Sequence, residues 1–96
     1  MIVRIDIDID RSADDFAYAV SEEGEELYGD DGLPSIVECL IAAVEGMPPE
    51  ALAAEIAYDG VVSGTYPLSV IGMSVDQVAQ HAVNTTAMID EVMPDR

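Results

Sequence analysis

Residues 2–9 constrain this chain more than any other stretch. Ile5, Ile7 and Ile9 recur at every second position, with Arg4, Asp6, Asp8 and Asp10 between them. Strict alternation in a β-branched run is the pattern of a half-buried strand, with the isoleucines on a core and the aspartates in water.

The following residues, 12–28, read two ways. Phe16, Tyr18 and Val20 alternate like a second strand over 15–20, with Arg11–Asp14 as a hairpin turn. Ser12 followed by Asp15 also resembles a helix start. The strand is the favoured reading. Glu22 to Gly32 is rich in acid and glycine and reads as an exposed loop.

Residues 33–46 have helical spacing at Ile36, Val37, Leu40, Ile41 and Val44. Ser35 and Glu38 form a capping box, and Gly46 fits the stop. Met47-Pro48-Pro49 breaks the chain, and Glu50–Ala53 reads as one more helical turn. Residues 54–71 predict a hairpin. Ile56 and Tyr58 lie on one arm and Tyr66, Leu68 and Val70 on the other, with Ser63-Gly64 turning between them. Tyr58-Asp59-Gly60 then reads as a strand end or bulge. Pro67 puts the second arm on an edge or beside an irregularity. The clearest helix is 75–92. Ser74 and Gln77 form its capping box, and Val78, Ala82, Ile89 and Val92 its inner stripe. Gln77, Gln80, His81, Asn84 and Glu91 are its outer stripe, and Pro94 ends it. The expected order is β-β-α-β-β-α. It predicts one α+β domain over 1–96, an antiparallel sheet of about four strands with two helices packed on one face. A free edge on the first strand and the Pro67 edge leave a dimer open.

Charge narrows the functional classes. Twenty carboxylates face three arginines and no lysine, giving −17. Such a surface repels nucleic acid and anionic membrane and attracts basic protein surfaces. The first 31 residues hold 11 of the 20 carboxylates, and residues 60–96 hold four. The candidate partner-binding residues are therefore Asp6, Asp8, Asp10, Asp14, Asp15, Glu22, Glu23, Glu25, Glu26, Asp30 and Asp31.

Other chemistry is poorly supplied. Asp6-x-Asp8-x-Asp10 opens like an EF-hand loop, but the sixth and twelfth positions hold Arg11 and Ala17 where glycine and glutamate are needed. His81 and Cys39 lack metal-ligand spacing or a nucleophile motif, and read as a surface histidine and a small core residue. Met88 falls on the outer side of the last helix. No phosphate loop can be completed without lysine, and Gly-x-Ser-x-Gly is absent. The expectation is a non-enzyme with no catalytic residues, no metal and no cofactor. One cysteine excludes an internal disulfide. The alternating pattern begins without a signal-peptide h-region, and no apolar run is long enough to span a bilayer, which predicts a cytoplasmic protein.

In kind, by size and acidity, the chain resembles small acidic inhibitors. These include phage-encoded DNA mimics, such as some anti-CRISPR proteins, and acidic immunity proteins that neutralise basic nuclease toxins. That resemblance implies an inhibitor whose acidic face mimics nucleic acid and blocks a basic, nucleic-acid-binding partner. An immunity protein or antitoxin against a basic toxin is the alternative. A third reading is an acidic housekeeping domain of a halophilic or high-GC organism.

Overall fold

The computed structural model describes residues 1–92. Pro94, expected to end the last helix, lies outside them. The elements in order are β1 (Ile2–Asp10), β2 (Asp15–Glu22), β3 (Glu25–Leu33), α1 (Ile36–Glu45), β4 (Ala53–Tyr58), β5 (Val61–Pro67), α2 (Leu68–Met73) and α3 (Val75–Val92). The strands form one sheet in the order β3-β2-β1-β4-β5.

The α+β class stands, but the sheet differs from expectation in three ways. It has five strands, because residues 25–33 are a strand and not a loop. It is mixed, because β1 pairs parallel with β4, from Ile2 opposite Ala53 to Ile7 opposite Tyr58. And β1 has no free edge; it sits between β2 and β4 at the centre. The parallel pair follows from the connectivity. A helix crossing the sheet, here α1, is the ordinary link between strands that run the same way.

Two-residue turns set the hairpins. Glu23 (φ 52°) and Gly24 (φ 86°) join β2 to β3, and Asp59 (φ 53°) and Gly60 (φ 82°) join β4 to β5. Two successive positive φ values match the twist of a hairpin. The second hairpin therefore turns at Asp59-Gly60 and not at Ser63-Gly64. Ser63 and Gly64 lie inside β5, beside a register shift opposite Ile56 and Ala57. The expected arm through Leu68 and Val70 is helix α2 instead, starting after Pro67, which cannot donate to a ladder. The one-turn helix expected at Glu50–Ala53 is a turn closed by Ala51 N–H to Pro48 C=O at 3.1 Å.

The remaining elements form where their signals place them, although Ile41, expected on the inner stripe of α1, is exposed, and Cys39 and Ala43 are buried beside Ile36 and Leu40. Asp14 (φ 56°) closes the β1–β2 turn. The Ser35 hydroxyl accepts from Glu38 N–H. Gly46 N–H returns to the Ala42 carbonyl and Met47 N–H to the Val44 carbonyl. For α3, Ser74 contributes its carbonyl to Val78 N–H at 3.0 Å; its hydroxyl is not in a capping box among the described residues.

Alternation decides the layers. Val3, Ile5 and Ile7 are buried on the helix side together with Val20, Ile56, Leu40, Cys39 and Ile71. Thr86 is the one buried polar residue among those described, and its hydroxyl donates to Tyr58 C=O at 3.0 Å, tying α3 to the end of β4. Tyr28 does similar work for β3. Its ring meets Tyr18 edge-on, centroids 6.3 Å apart, and its hydroxyl donates to Ala43 C=O in α1. Gly29 is required next to it, because a Cβ there would lie 2.5 Å from Tyr18 O. No helix among the described residues is long and apolar enough to cross a membrane.

A candidate anionic interface on the uncovered sheet face

All the buried side chains of β1 point to the helices, so its even-numbered residues face the other way. Strand pairing extends that face. Asp8 stands opposite Ala17, Asp10 opposite Asp15, and Arg4 opposite Ser21. Asp6 lies between Ala19 on β2 and Ala57 on β4. Ala19 and Ser21 in turn oppose Gly29 and Glu26 on β3. The result is a floor of small residues crossed by a ladder of aspartates. Alternate strand residues are about 6.6–6.8 Å apart, which sets the rung spacing.

The eleven acids do not all share this face. Asp6, Asp8, Asp10, Asp15 and Glu26 do, by register. Asp31 sits in the bulge opposite Ala17, because Phe16 pairs with Leu33 and Tyr18 with Asp30. Asp30 has the opposite parity, alongside the core residue Tyr18, and its Oδ1 accepts from Asp31 N–H at 2.9 Å. Glu22 and Glu25 pair at the end of the β2–β3 hairpin, with Glu23 in its turn. Asp14 is in the turn at the other end. The acids thus cover the open face, one edge and both ends of the β1–β2–β3 meander.

Besides Asp30, two of them are already engaged. Arg4 Nε bonds both carboxylate oxygens of Asp6 at 3.0 Å, and its Nη1 reaches Glu55 at 3.1 Å. These carboxylates hold the guanidinium pKa above its ordinary value, the Asp6 bond first. Arg4 is therefore an internal counter-ion that quiets one end of the ladder. Asp10 builds the turn: its Oδ1 accepts from the Ser12 hydroxyl at 2.7 Å and from the Ser12 and Ala13 amides. Those bonds, the hydroxyl first, lower its pKa. Asp8 makes no side-chain hydrogen bond among the described residues and is exposed. Arg11 lies 3.7 Å from Asp59, off the ladder.

Two open depressions lie along the meander. One, of about 570 Å³, is bordered by Arg4, Asp6, Ser21, Glu23 and Glu55. The other, of about 350 Å³, has Ala17 and Gly29 beside Glu26, Asp30 and Asp31. Glu55 is the member of this surface that charge counting in the first 31 residues missed. It arrives through the parallel β1–β4 pairing, which brings residue 55 beside residue 4.

Cys39 is fully buried in α1, and burial raises its thiol pKa to about 11. His81 is exposed on α3. Among the described residues, no group of three or more His, Cys, Asp or Glu could hold a metal ion. Met88 is exposed. No family model, curated protein or solved structure matches this chain.

Proposed function

We propose that this protein is a non-enzymatic inhibitor that binds a basic, nucleic-acid-binding protein through the acidic face of the β1–β2–β3 meander. The observation that carries the reading is the ladder of Asp6, Asp8 and Asp10 on a sheet face that the helices leave uncovered, flanked by small side chains. Alanine and glycine neighbours leave the carboxylates standing above the surface, where a partner's Arg and Lys can reach them.

Charge density supports nucleic-acid mimicry. Nine strand residues at about 3.3 Å each make a meander about 30 Å long. Ten carboxylates, leaving out Asp6 and counting the face, edge and both ends of the meander together, give about one charge per 3 Å of its length, with Asp8, Asp10, Asp15 and Glu26 on the open face. One strand of a DNA duplex carries one per about 3.4 Å of axis. Association should be fast and strongly weakened by salt.

The test immobilises the protein and passes host lysate over it at about 0.05 M and 0.5 M NaCl. A second column carries the variant Asp8→Asn/Asp15→Asn/Glu26→Gln/Asp31→Asn. The expected result is a basic protein retained at low salt, released by duplex DNA, and not retained by the variant. A basic nuclease toxin among the retained proteins identifies the partner as a toxin. Capture of no basic protein, or capture indifferent to duplex DNA and to the neutralised acids, refutes the reading.

A further inference from the structure

The second edge of the sheet has the opposite character to the first. Residues 60–75 contain no Asp, Glu, Lys or Arg, in a chain of net charge −17. They form edge strand β5 and helix α2. Val62, Val70 and Met73 in this run are exposed, Met73 at 86%. Leu52, 72% exposed, adjoins it through the bond from Leu68 N–H to Leu52 C=O at 3.1 Å. Edge strands expose unpaired backbone N–H and C=O groups, and proteins commonly guard them with charge. β3 is guarded by Glu25, Glu26, Asp30 and Asp31; β5 has only Pro67, at its last position, and a bulge.

We propose that β5 is a self-association edge, on which two copies of this chain pair β5 with β5, antiparallel, about a two-fold axis. The product is one continuous ten-stranded sheet. A second copy is the occupant that the charge distribution favours. Strands lie about 4.7–4.9 Å apart, so in the dimer the two β1 strands, the nearest parts of the acidic meanders, are about 24 Å apart and the two β3 edges about 43 Å apart. The Debye length is about 8 Å at physiological salt, so the acidic meanders barely repel each other in this arrangement. Pairing through β3 would instead set its acids against their own copies. Glu55, the acid paired with β5 at Thr65, is already held by Arg4. A two-fold contact is self-complementary, which an uncharged strand satisfies with no opposite charge required. The dimer would carry its two acidic faces at opposite ends. The inference rests on the neutral edge and is independent of the acidic-face reading.

Sedimentation from about 5 μM to 500 μM, at about 0.05 M and 0.5 M NaCl, tests it. The expected mass rises from 10.2 kDa toward twice that value, and rises further in high salt, the reverse of the salt response of a basic partner on the acidic face. Val62→Glu places like charges on both edges and should weaken the dimer about tenfold or more. Met88→Glu, at an exposed site on α3, should leave it unchanged. Far-UV circular dichroism checks that the variants fold. Hydrogen exchange on the unmodified protein provides a measure that needs no variant: β5 amides should gain protection with concentration while β3 amides do not. A monomer at every concentration in 0.5 M NaCl overturns the proposal. So does a folded Val62→Glu dimer, or concentration-dependent protection in β3 in place of β5.

Discussion

Replacing Arg4 with glutamine tests how the open face tolerates its own charge. In the native protein Arg4 bridges β1 and β4, contacting both oxygens of Asp6 at 3.0 Å and Glu55 at 3.1 Å. The three side chains are 36–41% exposed, so water screens the pairs and Coulomb energies for a dry interior do not apply. Exposed pairs contribute about 0.2–1 kcal/mol each, and here one Nε–H is shared between the two Asp6 oxygens. Arg4→Gln also leaves Asp6 and Glu55 as unrelieved neighbours. The expected loss is about 1–2 kcal/mol in dilute buffer, or roughly 4–15 °C in Tm for a domain of this size. It should shrink by about half in 0.5 M NaCl, where the Debye length approaches the pair distances. The assay is urea denaturation at both salts, with Asp6→Asn and the double variant completing a cycle. A loss independent of salt, or no coupling between Arg4 and Asp6, would refute the assignment of Arg4 as the internal counter-ion.

Other expectations follow from single contacts. Cys39 is buried with its thiol pKa raised from 9.0 to about 11, so the folded state holds the proton more tightly than the unfolded one. That contribution is complete below pH 9 and lost as pH rises toward 11, by about 2–3 kcal/mol. Cys39→Ala should therefore flatten the alkaline limb of the stability curve, and an unchanged limb would refute the linkage. Gly29→Ala drives a Cβ to 2.5 Å from Tyr18 O and should destabilise by about 1–3 kcal/mol on urea denaturation; a neutral effect would show that β3 can shift away. Tyr28→Phe removes the donor to Ala43 C=O and should lower stability by about 1 kcal/mol, loosening β3 first in hydrogen exchange. With a net charge of −17, the melting temperature should climb by several degrees between 20 mM and 0.5 M NaCl, with the fold already formed in dilute buffer. A requirement for molar salt would instead favour a halophilic housekeeping domain.

Periodicity determined β1, α1 and α3 and favoured a strand over a helix start at β2, because each of these elements buries one face and the burial is written into residue spacing. Ile5 and Ile7 of β1 and the stripe of Val78 and Ala82 in α3 are buried as their spacing requires, while Ile9, near the end of β1, is only half-buried. β3 was illegible because it is an edge strand that sends few side chains to the core, chiefly Tyr28 and Leu33, and carries two register shifts. Its one local signal was Glu23-Gly24, a turn of the same kind as Asp59-Gly60. The second hairpin was displaced for a related reason: Asp-Gly was the stronger turn signal, and Ser63-Gly64 marks a bulge.

The acidity itself belongs to the sequence, as does the alternation that lifts Asp6, Asp8 and Asp10 to one side of β1. What only tertiary structure decided is which acids act together. Strand pairing, set by long-range contacts, put Glu55 and Arg4 beside Asp6, sent Asp30 toward the helix side, and built Asp10 into a turn. It also placed the charged strand β3 and the neutral strand β5 on opposite edges of one sheet. Local spacing cannot encode that separation, because strand order is fixed by which surfaces the helices bury and by the crossover that carries the chain from β3 to β4.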